Sequence, residues 1–170
     1  MSKFEELRGA YIAARNAYFA RRQAAITLAG VLARGLESFL QVPQFHLQFI
    51  PSTGDSSSSK AGTAETAVWL APDERWHFRL GLPLSDRTLG TAKGGSTQTL
   101  VLEFHAVPKG DWFEVGLKDR PDRFSLPVTA AAAEHLPFFE YLFGQMEAVY
   151  RQPGLKFYDN MADTTRSVTG

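Results

Sequence analysis

From Lys3 to Gln41 one helical pattern runs without interruption, and a helix of that length does not fit easily into a chain of 170 residues. Phe4, Leu7, Tyr11, Ala14, Tyr18, Ala25, Leu28, Leu32, Leu36 and Phe39 recur mostly three and four apart, which predicts an amphipathic helix. The pattern stops at Val42, because Pro43 disfavours helical geometry in the residue before it. Some 39 helical residues extend roughly 58 Å, whereas a compact chain of this size has a diameter near 40 Å. Two outcomes follow. Either the helix bends or breaks near Gly30 or Gly35 and stays in the core, or one end projects and lays its apolar stripe on another chain. Phe4, Tyr11 and Tyr18, spaced by seven, mark that stripe as a homodimer seam, and Arg8, Arg15 and Arg22 form a parallel line beside it. Arginine stems in such a line cover apolar neighbours while their heads stay wet or meet carboxylates across the seam. Interleaved with aromatics, they also suit phosphate pairing and base stacking on single-stranded nucleic acid.

Beyond the helix the period changes to two. Phe45, Leu47 and Phe49 read as a strand ended by Pro51. The polar, serine-rich stretch 52–63 reads as a flexible loop. Glu65 to Ala71 and Arg75 to Leu82 read as a hairpin turned at Pro72 and Asp73. A glycine loop, 85–96, leads to a strand from Thr97 to Val107, and Pro108 to Asp111 turn it back into Trp112 to Lys118. Arg123 to Leu126 adds an edge strand. Thr129 is the candidate N-cap of a second helix through Phe138, Leu142, Met146, Val149 and Tyr150, kinked or restarted at Pro137. The order is that of an α+β domain of two layers: a long N-terminal helix, an antiparallel meander of about five strands, and a C-terminal helix packed on the same sheet face. Residues 1–152 form this single domain and 153–170, which have no period, a loose or partner-bound tail.

Composition removes several function classes. There is no cysteine, hence no disulfide scaffold, thiol nucleophile or cysteine-bound metal. The formal net charge is zero, which argues against a protein whose main partner is bulk nucleic acid or an anionic membrane. That zero is a sum: Lys3–Gln41 carries six basic and three acidic residues, Val42–Pro127 nine and ten, and Val128–Gly170 three and five. The N-terminus mixes Glu5, Glu6, Arg8 and Arg15 with its apolar residues and does not read as a secretory signal, so a cytoplasmic location is expected.

Three of the four histidines, His46, His77 and His105, lie in strands in the phase opposite the apolar residues, together with Gln48, Arg75, Arg79, Glu103 and Glu114. The sheet is therefore expected to present one apolar face to the helices and one polar face outward. That face reads first as solvated, next as a partner surface, and last as a catalytic or metal site pairing a histidine with Glu103. Trp112 shares its phase and suits stacking on a ligand or partner. Gly90 to Thr97 has the residue types of a phosphate loop in the wrong order, although Lys93 and its glycines suit an anion. No G-x-S-x-G elbow or H-E-x-x-H helix is present. No cofactor and no metal ligand set is implied. The sequence thus points to a non-catalytic interaction protein, adaptor, chaperone-like or regulatory, acting as a homodimer on a protein partner. A small-ligand or metal-dependent enzyme built on the histidines is the alternative, and a nucleic-acid accessory protein using the basic helix is the third reading.

Overall fold

Alternating apolar residues in two long strands organise the molecule. A computed structural model describes residues 2–52, 62–85, 97–129, 132–151 and 164–168. Strand β3 (Trp76–Ser85) pairs antiparallel with β4 (Thr97–Lys109) along its whole length. The register sets Trp76 opposite Ala106, Phe78 opposite Phe104, Leu80 opposite Leu102 and Leu82 opposite Leu100, all buried. Because side chains alternate across a sheet, this face is apolar and the other carries His77 opposite His105 and Arg79 opposite Glu103. A two-residue turn, Gly110–Asp111, returns β4 into β5 (Trp112–Leu117), and Gly110 supplies the positive φ of 69° that the turn requires. Strand β6 (Phe124–Pro127) pairs with β5, which completes the expected meander.

Two helices cover the apolar face. Helix α1 (Lys3–Leu40) opens on a capping box, in which the Glu5 amide donates to Ser2 Oγ at 3.2 Å and the Ser2 amide to the Glu5 carboxylate at 2.6 Å. It ends one residue before the expected Gln41, which takes the left-handed cap position at φ 56°. Helix α3 (Leu136–Tyr150) joins α1 in one core cluster with the inner residues of β3 to β6, through Phe138, Phe139, Leu142 and Met146. The fold class is the one expected, a two-layer α+β domain with both helices on one sheet face.

Several local expectations are corrected. Strand β1 is only Gln48–Ile50, paired with β3, since Phe45 sits at φ 62° and is 89% exposed. Within Glu65–Ala71, the segment Ala64–Ala67 is a helical turn, α2, and only Trp69–Leu70 forms a strand, β2. A Thr63–Thr66 hydrogen-bond exchange starts that turn before the chain can extend. The second helix is not capped by Thr129: a 3₁₀ turn, Ala132–His135, precedes it, and Pro137 stands in its first turn, where its missing amide costs nothing. Part of the supposed tail is ordered: Thr164–Ser167 forms β7, parallel to β4, and Val168 behind it is buried in the core. The glycine loop beyond Ser85, with Lys93, and most of 52–63 lie outside the described residues.

Neither glycine breaks the long helix. Gly35 instead admits the fully buried Phe139 ring: a Cβ at Gly35 would stand 2.6 Å from Phe139 Cζ, closer than packed carbons allow. Gly35→Val is therefore expected to lower unfolding free energy by about 1–3 kcal/mol, read from urea midpoints, and Phe139→Leu in the same chain should recover part of the loss. A Gly35→Val chain as stable as the parent would refute this packing.

Candidate functional site

Two features stand out from the body of the fold, one ionic and one apolar. The ionic one is built by cross-strand register on the outer sheet face. His77 on β3 directs Nε2 to both oxygens of Asp73 in the preceding turn, at 3.1 and 3.0 Å. Its Nδ1 stands 3.6 Å from Glu103 Oε1, a Coulombic approach and not a formed hydrogen bond. Glu103 on β4 accepts from Arg79 Nε at 2.8 Å and pairs with Lys118 Nζ at 3.2 Å. Trp69 on β2 lies over this group, its ring centroid 5.5 Å from that of His77 and 5.1 Å from the Arg79 guanidinium carbon.

The polar face is therefore not simply solvated at its centre, as its phase alone suggested. His77, Glu103 and His105 are all buried. His105 faces Gly116 of β5 across the ladder, and its Nε2 has no hydrogen-bond partner among the described residues. Burial pushes the Glu103 carboxyl up, but His77, Arg79 and Lys118 outweigh it and hold its pKa at about 2. Burial likewise lowers His77, yet the Glu103 and Asp73 carboxylates overcome it and leave the imidazole above its ordinary value. For His105 the Asp73 carboxylate compensates only in small part: burial and the charges of Arg123, Arg75 and His77 bring it down to about 4. Two neighbouring histidines, 6.2 Å apart, thus sit on opposite sides of the usual imidazole pKa.

Of the residues singled out from sequence, His77, Arg79, Glu103 and His105 do come together. His46 does not: its Nε2 meets the Pro83 carbonyl at 3.1 Å, six residues along β3 and some 20 Å from His77. Trp112 is on the outer face and 38% exposed, opposite Lys109, and outside the ionic group. Lys93 lies outside the described residues. Asp73 and Lys118 were missed. Asp73 reads as a turn residue, although its spacing of four from His77 across a tight turn was a usable signal. Among the described residues no three His, Asp or Glu side chains are arranged to hold a metal ion. Both carboxylates of the group are already committed to cations, so the arrangement ties the Asp73 turn, β3, β4 and the end of β5 together.

The apolar feature is the N-terminal half of α1. Every residue from Ser2 to Arg21 is exposed, and the buried face begins only at Ala25. Phe4 is 72% exposed, Leu7 70%, Tyr11 65%, Phe19 51%, Ile12 43% and Tyr18 41%. Phe4, Tyr11 and Tyr18 continue in steps of seven to Ala25 and Leu32, which are buried, so the exposed stripe prolongs the face that packs on the sheet. Tyr18 is the last contact with the body, its ring 5.5 Å from Trp76. The arginine line is partly committed: Arg22 donates to the Glu65 carbonyl at 2.8 Å and Arg15 lies 5.4 Å over the Phe19 ring. Ile12 and Phe19 were not singled out from sequence, though their step of seven leads to the buried Ile26. No helix among the described residues is long and apolar enough to cross a membrane.

No protein-family model matches the chain, and none of the curated proteins or solved structures is significantly similar to it.

The histidine pair sets opposite pH responses. Unfolded His105 takes a proton below its ordinary 6.5, the folded one only near 4, so acidification across that interval removes stability. The raised His77 contributes stability that is present below 6.5 and lost as the pH rises through its folded value. Glu103 contributes above its ordinary 4.5 and loses that contribution as the pH falls toward 2. In urea titrations, His105→Asn should flatten the decline from pH 6.5 to 4, and His77→Asn should flatten the alkaline one. Glu103→Gln, which strands Arg79 and Lys118, should cost about 2–3 kcal/mol at pH 7. A profile unchanged by both histidine variants would remove this assignment.

Proposed function

We propose that this chain is a non-catalytic interaction protein and that the N-terminal half of α1 is its docking element. One observation carries the reading: six large apolar side chains, between 41% and 72% exposed, share one side of a helix that has left its own core, with Arg8 and Arg15 between the line of Phe4, Tyr11 and Tyr18 and that of Ile12 and Phe19. Helices in proteins draw most of their stability from covering an amphipathic face. Contiguous exposed apolar surface of this kind marks interaction sites. The ionic group on the outer face fits a supporting role, since its carboxylates are neutralised within the fold and its histidines are buried.

The test compares three tagged baits recovered from the native cell: the parent chain, Leu7→Lys with Tyr11→Lys, and His77→Asn. Quantitative mass spectrometry should show co-purifying protein falling at least about tenfold with the helix variant, a loss of about 1.4 kcal/mol or more in binding, and holding with His77→Asn. The opposite pattern, loss with His77→Asn alone, would move the function to the outer sheet face.

A further inference from the structure

We infer that the occupant of the exposed α1 stripe is the same stripe of a second copy, with the two helices packed antiparallel; this rests on the docking role proposed above and names the partner. Area is the first argument. A covered aromatic side chain buries about 150–250 Å², so the exposure of Phe4, Tyr11, Tyr18 and Phe19 leaves roughly 450 Å² per copy before Leu7 and Ile12 are counted. Two such faces supply about the 1,000 Å² that a specific interface needs. A self-complementary patch repeated by a twofold axis is also the commonest way soluble chains associate.

Direction follows from the fold. From Ala25 onward the face that carries the stripe is packed on β3 and β4. A parallel partner held against Phe4 and Tyr11 would continue past Arg22 into that sheet. An antiparallel partner ends there, its own N-terminus lying beside the base of the projecting half. Charge adds a smaller argument: the free end carries Lys3 and Arg8 as well as Glu5 and Glu6 and sums to zero, with Lys3 paired to Glu6 at 2.9 Å, so in antiparallel packing Arg21 and Arg22 at the base meet a neutral end and not a second pair of arginines. Parallel packing would set each end against its like. The twofold axis then passes close to Tyr11, the middle of the exposed half.

Sedimentation of the full chain from about 1 to about 100 μM tests this by mass action. The expected species is a dimer, weakened at least about 100-fold by Tyr11→Lys, which places two ammonium groups near the axis, with helix content by circular dichroism unchanged. Leu7→Lys serves as the second variant, also at an exposed position. The chain has no cysteine, so Lys3→Cys takes a single spin label. Antiparallel helices put the two labels about 25–30 Å apart and parallel ones about 10–15 Å, from the rise per residue and the interaxial spacing. The short distance overturns the direction. A monomer at about 100 μM overturns the second copy, and the docking reading then stands or falls separately on the bait comparison. A dimer indifferent to both lysine variants likewise overturns the second copy as the occupant of the stripe. A monomer that binds single-stranded DNA with affinity falling steeply in salt overturns the partner in favour of nucleic acid.

Discussion

The ten-residue pairing of β3 with β4 is the contact on which both faces of the domain depend. One register fixes what each side chain meets. On the inner face it stacks Phe78 on Phe104, ring centroids 4.8 Å apart and 14° from parallel, in the middle of the core that α1 and α3 cover. On the outer face it places Arg79 against Glu103 and His77 against His105. A slip of β4 by one residue would turn its apolar set outward and put Glu103 and His105 under the helices. The inner face supplies most of the stability, since each buried aromatic or leucine contributes about 1.5–3 kcal/mol. The outer ion pairs, partly open to water at Lys118 and Asp73, return little net free energy, so their weight lies in rejecting the wrong register.

What the sequence made legible was whatever one periodic pattern could decide by itself. The long helix, the alternation of β3 and β4, the edge strand β6 and the packing of both helices on one face follow from spacing alone. The phase of His77, Glu103 and His105 was legible for the same reason. Their burial was not, because it comes from Trp69 and from the register between strands that the sequence does not order. Strand β7 escaped because Thr164–Ser167 carries no apolar alternation and is held by parallel backbone pairing to β4. Helical turn α2 escaped because Glu65–Ala71 is too short for its period to separate helix from strand, so a local Thr63–Thr66 exchange decided it.

His77 and His105 show how little separation is needed to divide two like groups. They are cross-strand partners on one face, buried to nearly the same degree, and their pKa values move in opposite directions. The difference is carboxylate access. Asp73 and Glu103 reach His77 from the turn and from β4, while His105 lies against Gly116, Asp122 and Arg123. Gly116 is needed there: a Cβ would stand 2.6 Å from the Asp122 carbonyl and 2.9 Å from His105 Nε2. The close packing at Gly116 sets His105 near the Arg123 guanidinium, whose charge helps to lower its pKa.

The length of α1 separates what the core needs from what it does not. Its buried residues run from Ala25 to Glu37, a span of about 18 Å. The half before Ala25 adds about 30 Å of helix that touches the sheet only near its base, where Tyr18 meets Trp76, and it is not polar as a helix with only solvent around it would be. It keeps the face, the period and the aromatic content of a core helix, and a capping box secures its far end. Holding Phe4, Leu7 and Tyr11 in water opposes solubility and gains nothing for this fold. A surface of that kind is consistent with the proposed second copy, and the sheet beneath Ala25 favours an antiparallel approach over a parallel one.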